Sequence, residues 1–257
     1  MKILFIGDIV GRSGRDIVAN KLPLVIDEYK PDFIIANGEN AAHGKGISGR
    51  IYHQFKKLGI DCITMGNHTF SKDVIKTIIH ELDDLVRPVN LIPTEYGQGY
   101  KVYPVLDKKL CVINLCGEIF MDRISESPFS AMDKILDKVE ADYFIVDLHA
   151  EATSEKITFA NYYQDHIHAV FGTHTHVQTA DERIIGKTAF ISDVGMCGAY
   201  DSVIGRDTDE VISNMVHKQR TKFEVATGPG LFQAVIIEID EAKNRSLSIQ
   251  RIQIRPE

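Results

Sequence analysis

Through its first eighty residues the chain alternates short apolar, β-branched runs with longer helix-like stretches, and no other feature constrains its fold as strongly. The runs at 2–6, 33–36 and 61–65 read as strands, and the stretches at 15–29, 49–58 and 72–82 read as helices. A β-α-β-α-β-α order requires parallel strands joined by crossover helices. Further runs at 100–105, 110–115, 143–148, 167–171, 188–192, 233–240 and 247–254 read as strands, with helices at 131–139, 155–163 and 208–219. The apolar content of these runs suits strands covered on both faces. Ser13, Ser48, Ser71, Ser130, Ser154 and Asp207 stand where helices would start. Ile75, Ile78, Ile79 and Leu82 form a helical stripe that reads as core packing. The last two runs flank Lys243-Asn244-Arg245 and predict an antiparallel hairpin. A mixed sheet, or two sheets packed together, follows from this order.

No repeat, low-complexity tract or Pro/Gly-rich linker divides the chain, so one domain over 1–257 is expected. The segment 195–230 is the least regular and is a candidate loop, lid or subunit contact. A hydrophobic fraction of 44% and a charged fraction of 25% exclude disordered, collagenous and coiled-coil classes. Against 29 Lys and Arg stand 36 Asp and Glu, for a net charge of −7. That balance argues against general nucleic-acid binding and against anionic membrane surfaces. Bound divalent cations would offset part of it. No apolar run approaches the length of a membrane span. The N-terminal apolar run meets Asp8 too soon for a signal peptide, which predicts a cytoplasmic, reduced protein. Cys62, Cys111, Cys116 and Cys197 form no C-x-x-C pair, and the first three, in apolar runs, read as buried free thiols.

The functional signal is positional. Five apolar runs each end in residues that can bind a metal. They lead into Asp8, into Glu39-Asn40, into Asn67-His68, into His149, and into His174-Thr175-His176. In α/β sheets, ligands sit beyond the carboxyl ends of strands, so these five ends can converge. Gly7, Gly38, Gly66 and Gly172 lie beside them and permit tight turns or close backbone approach. Taken singly, each residue reads as an ordinary cap, turn or packed histidine. Taken together, the oxygen and nitrogen donors exceed what one tetrahedral site uses. They suit two divalent or mixed-valence metal ions, iron or manganese, with zinc less selectively favoured. Two ions roughly 3.5–4 Å apart can clamp the attacking and leaving oxygens of a phosphoryl displacement.

Gly7-Asp8, Gly66-Asn67-His68 and Gly172-Thr173-His174-Thr175-His176, in that order, resemble a calcineurin-type metallophosphoesterase. Two departures refine this. Asp8-Ile9-Val10 lacks the histidine of the common Asp-x-His, and Glu39 stands where an aspartate usually bridges the metals. With Asn37-Gly38-Glu39-Asn40-Ala41-Ala42, the segment from His149 to Lys156, and Asp193-Val194-Gly195-Met196, they resemble the bacterial YmdB-like phosphodiesterases along essentially the whole chain.

The resemblance implies a four-layer α/β/β/α sandwich of two packed mixed sheets. It implies that Asp8, Asn40 and His176 hold one metal, that Asn67, His149 and His174 hold the other, and that Glu39 bridges them. A hydroxide generated between the metals would be the nucleophile and His68 the general acid. The implied substrates are small phosphodiesters, with 2′,3′-cyclic nucleoside monophosphates leading. A phosphomonoesterase, a protein phosphatase or a nuclease on the same site is a second reading, and a regulatory scaffold binding a nucleotide is a third. Arg12, His43 and Lys45 are candidate phosphate contacts, and Asp147, Glu151 and Asp193 candidate partners of the ligand histidines. Phe70, Tyr162, Tyr163 and Tyr200 are candidate base contacts, with packing as the ordinary alternative. His166 and His168 read as structural or exposed. A homo-oligomer is compatible with the sequence.

Overall fold

The computed structural model describes residues 1–256. The strands run β1 (Lys2–Ile6), β2 (Asp8–Ile9), β3 (Phe33–Asn37), β4 (Cys62–Thr64), β5 (Leu85–Val86), β6 (Tyr100–Val105), β7 (Lys108–Cys116), β8 (Tyr143–His149), β9 (Ala169–Thr173), β10 (Arg183–Ile185), β11 (Thr188–Ile191), β12 (Met196–Ala199), β13 (Gly230–Asp240) and β14 (Arg245–Ile254). The helices are α1 (Gly11–Tyr29), α2 (Gly49–Lys57), α3 (Ile75–Ile78), α4 (Pro128–Lys138), α5 (Thr153–Tyr162) and α6 (Thr208–Met215).

Two mixed sheets result. In the first, β1, β3, β4 and β5 are parallel neighbours, and β13 adds antiparallel to β1, with β14 beyond it. In the second, of order β10-β11-β9-β8-β7-β6, the four central strands are parallel and both edge strands antiparallel. The period-two alternation of side chains converts nearly continuous apolar runs into four layers. Ile3 and Phe5 of β1 face the core between the sheets, while Leu4 and Ile6 face the core under α1 and α2. In β7, Leu110 and Val112 face the other sheet, while Cys111, Ile113 and Leu115 pack with Met132 and Ile135 of α4 and Phe159 of α5. The sheets touch through pairs such as Phe5 and Phe171, whose ring centroids are 4.7 Å apart. The expected α/β/β/α sandwich is therefore the observed one.

The differences from the sequence reading lie at element ends and in short strands. Ser48 and Asp207 cap α2 and α6, accepting from the backbone N–H of Ile51 and Glu210. The starts expected at Ser13, Ser71, Ser130 and Ser154 are not the caps. The residues at those points are Val10 for α1, Val74 for α3, Ser127 for α4 and Ala152 for α5. The helix expected over 72–82 is one α-turn followed by a 3-10 turn at Ile79–Glu81. Its apolar stripe still packs inward through Ile75, Ile79 and Leu82. Strands β2, β5, β10 and β12 are too short to carry a readable period. All four cysteines are free and buried. Among the described residues no helix is long and apolar enough to cross a membrane.

Candidate metal centre

The five predicted strand ends meet. Asp8 follows β1, Glu39 and Asn40 follow β3, and Asn67 and His68 follow β4, all in the first sheet. His149 ends β8, and His174 and His176 follow β9, in the second sheet. The centre thus lies where the carboxyl ends of parallel strands from both sheets come together, as the strand-end rule requires.

All eight predicted residues join one network of contacts. Glu39 Oε1 lies 3.0 Å from Asn40 Nδ2 and 3.2 Å from His149 Nε2, and Glu39 Oε2 accepts from the His68 backbone N–H at 3.1 Å. His149 Nε2 is also 3.0 Å from Asn67 Oδ1 and 3.0 Å from His174 Nδ1. Asp8 Oδ2 accepts from the His174 backbone N–H at 3.3 Å, and its Oδ1 lies 3.7 Å from His176 Nε2. Asn40 Nδ2 is 3.1 Å from His176 Nε2, and Asn40 Oδ1 is 3.0 Å from His68 Nδ1. Asp8, Glu39 and His149 are fully buried.

The structure supplies positioning groups that sequence reading passed over. Thr173 Oγ1 donates to Asp147 Oδ1 at 2.7 Å, so its remaining capacity is to accept from His149 Nδ1, 2.9 Å away. The ring therefore holds a proton on Nδ1 and turns Nε2 into the cluster. Asp147 also accepts from Thr64 Oγ1 at 2.5 Å and Asn37 Nδ2 at 2.9 Å. Asn114 ties the sheets together, accepting from the Met65 N–H at 3.1 Å and donating to the Asp147 carbonyl at 3.2 Å. The missed signal was in the runs themselves: Asn37, Thr64 and Asn114, like the candidate Asp147, are polar residues near the carboxyl ends of otherwise apolar strands.

The loop after β9 is built to order. His174 and His176 have φ values of 98° and 66°, a region costly to side chains with a Cβ. Asp193 holds the turn between them, accepting from the Thr175 N–H at 3.0 Å and Thr175 Oγ1 at 2.7 Å. Buried Lys156 donates to the Thr173 carbonyl at 2.9 Å and to Asp193 at 3.2 Å. Glu151 meets His174 Nε2 at 3.2 Å, and His176 Nδ1 donates to the Ile204 carbonyl at 2.9 Å. Of the three proposed acidic partners, Glu151 touches a histidine directly, Asp147 acts through Thr173, and Asp193 orders the loop. Close approach also explains Gly66, where a methyl group would overlap Glu39 Oε2 and His149 Nε2.

The buried acids and histidines of the cluster shift one another's protonation. Burial raises the Asp8 carboxyl to about 6 against the pull of His176 and His149. Burial also opposes the charge on Glu39, but His149 and His68 outweigh it and hold that carboxyl well below its usual range. Burial likewise disfavours a charged His149, yet Glu39, Asp8 and Asp147 lift it to about 9. Burial, reinforced by His149, lowers His174 to about 3. These are properties of the protein groups alone. One proton on His149 Nε2 can satisfy only one of the three atoms around it, whereas a cation can satisfy them together. Buried Asp8 Oδ1 has no hydrogen-bond partner. Glu39, His149 and His174 can bring one ligand atom each within 4.8 Å of one another. An orphaned carboxylate oxygen and an all-oxygen and nitrogen donor set fit divalent metal ions.

A cavity of about 280 Å³ opens above the cluster, lined by Glu39, Asn40, His68, His174 and His176 together with Arg206 and Phe223 of the segment 195–230. That segment therefore covers the centre. Arg206 is held by Glu210 at 2.8 Å and stacks over Phe223, 5.2 Å from the ring centroid, and Lys45 lies 5.0 Å from the same centroid. None of the four aromatics proposed as base contacts lines the cavity. Phe70 packs on Tyr96, and Tyr162 and Tyr163 pack with Phe129 beside α4 and α5. Arg12 and His43 line a separate groove rather than this cavity. His168 is buried and His166 exposed, as expected of residues outside the centre.

A four-layer sandwich of two mixed sheets with this cluster at the strand ends is the architecture of a metallophosphoesterase. The chain belongs to the YmdB-like protein family, whose sequence profile it matches over residues 4–252. It is 44% identical over 257 residues to the 2′,3′-cyclic-nucleotide 2′-phosphodiesterase of Bacillus subtilis (strain 168), covering 99% of this chain and 97% of that one. The crystal structure of a phosphatase from Mycoplasma pneumoniae superposes with a TM-score of 0.95 at 36% identity, covering 99% of this chain and 93% of that one. A hypothetical protein from Thermus thermophilus superposes with a TM-score of 0.93 at 36% identity over the full length of both chains.

Proposed function

We propose that this protein is a di-metal phosphodiesterase that hydrolyses small cyclic phosphodiesters, 2′,3′-cyclic nucleoside monophosphates above all. The observation that carries the reading is the convergence of Asp8, Glu39, Asn40, Asn67, His149, His174 and His176 on one buried cluster, with His68 beside it at the cavity wall. The substrate class rests on the 44% identity to the Bacillus subtilis enzyme. Asp8, Asn40 and His176 would hold one ion, Asn67, His149 and His174 the other, with Glu39 shared between them. Iron and manganese suit this donor set best, with zinc a further candidate. When bound, two such ions supply Lewis acidity and a water of lowered pKa.

The chain's own groups then have defined tasks. Thr173 keeps the His149 proton on Nδ1, which leaves Nε2 free as a ligand atom. Asn40 now turns Nδ2 toward Glu39 and His176 and Oδ1 toward His68. With its carbonyl oxygen there, Asn40 can accept from His68 Nδ1–H, and the ring in its imidazolium form would present Nε2–H to a departing alkoxide and be left as neutral imidazole. Arg206 and Phe223 wall the cavity. The test is hydrolysis of a 2′,3′-cyclic nucleotide by manganese- or iron-loaded protein, with His68→Ala alongside. Turnover that falls at least a hundredfold in the variant at unchanged metal content supports the assignment. Loss of metal instead would make His68 a ligand. Absence of turnover in metal-replete wild type would overturn the substrate class.

A further inference from the structure

A groove of about 780 Å³ lies between α1 and α2 and shares no lining residue with the cavity above the histidines. The two are separated by the loop after Asn40, with His43 facing the groove and Gly44 the cavity. The side chains of Ile51 and Phe55, both buried, give the groove an apolar floor. Around it stand Arg12, Arg15, Arg50 and Lys57, against a single lining acid, Asp16. Arg12 meets Asp16 at 3.4 Å with both side chains well exposed. Among the described residues Arg15, Arg50 and Lys57 form no ion pair.

Three further facts set this arrangement apart. The protein is acidic overall, with a net charge of −7, so four cations crowded into one groove are not a consequence of composition. The first turns of α1 and α2 contain no acidic residue, and each instead carries an arginine, at the end of the helix where the dipole is positive. Arg15 is half-buried, and burial together with Arg12 and Arg50 lowers its pKa. Guanidinium groups recognise phosphate oxygens through paired N–H donors, and pockets of this volume hold small molecules. A hydrophobic floor beneath a ring of arginines suits a ligand with an apolar planar part and a phosphate.

We propose that this groove is a second ligand site, for a nucleoside phosphate, distinct from the metal centre. It stands independently of the substrate assigned to that centre. The experiment is calorimetric titration of the full-length protein with AMP and, separately, with inorganic pyrophosphate. It is repeated on Arg50→Glu/Lys57→Glu, shown to be folded by circular dichroism, and on Glu39→Gln, altered in the metal centre. The expected result is saturable binding of AMP by wild type, retained in Glu39→Gln and at least tenfold weaker in the double variant. Pyrophosphate is expected to bind more weakly than AMP. Equal or tighter pyrophosphate binding would reduce the site to a bare anion subsite and overturn the nucleoside assignment. No saturable AMP binding, unchanged affinity in the double variant, or binding lost in Glu39→Gln would overturn the second site itself.

Discussion

Thr173→Val removes one hydroxyl at almost constant volume and thereby tests how the centre is held. Thr173, Asp147 and His149 are all fully buried. The hydroxyl bridges His149 Nδ1 and Asp147 Oδ1, at 2.9 and 2.7 Å. Valine leaves both atoms without that partner and out of reach of water. Each buried group so orphaned costs about 1–3 kcal/mol, so the substitution should destabilise the fold by about 2–6 kcal/mol. It also frees the His149 proton to move to Nε2, the atom assigned to the metal. Loss of such supporting hydrogen bonds typically weakens metal affinity or activity about 10–100-fold. Urea denaturation reads the first effect, and metal retained after dialysis, with turnover, reads the second. Thr173→Ser keeps the hydroxyl and should restore metal binding and most of the stability. A valine variant with wild-type stability and metal content would show that the hydrogen-bond relay does not set the His149 ring.

Gly66→Ala places a methyl group on Glu39 and His149; it should destabilise by about 1–3 kcal/mol and empty the metal centre, measured as metal stoichiometry after purification. Lys156→Met strands Asp193 without its buried cation and should cost about 3–5 kcal/mol, read as a lowered midpoint in thermal denaturation. His168 accepts the Phe144 N–H at 3.2 Å on Nδ1 and meets Asn244 through Nε2, and burial lowers its pKa from 6.5 to about 4. The unfolded chain therefore takes up a proton below pH 6.5 that the folded chain refuses until about pH 4, and stability should fall by about 3 kcal/mol across that window. His168→Asn should flatten that part of the stability profile; an unchanged profile would assign the acid sensitivity to other groups.

Much of the architecture was legible because burial on both faces writes itself as unbroken apolar runs. Lys2–Ile6 and Tyr100–Val105 coincide with their expected limits, and the terminal hairpin pairs as its alternation required. Helix starts were harder. A serine near a helix is common, whereas a cap depends on whether its side chain reaches a particular N–H, as Ser48 does and Ser13 does not. Two-residue strands such as β2 and β5 exist because a longer neighbour holds them in register, which leaves no local periodicity to read.

The candidate centre divides in the same way. Its eight residues were readable because each follows the end of an apolar run, and a parallel sheet brings such ends together. Asp147 was a candidate partner of the ligand histidines, but its action through Thr173, and the closure by Ile204, Arg206 and Phe223, were not readable. These contacts join residues far apart in sequence, and no local pattern records which side chains will meet. By itself the sequence determined the layers, the strand ends and the polar residues gathered at them, since hydrophobic periodicity and chain connectivity act locally. Only the tertiary structure decided which nitrogen of His149 faces the cluster, which segment roofs it, and that the arginines of α1 and α2 share one groove. Those outcomes depend on distances between separate elements, which exist only after the two sheets have packed.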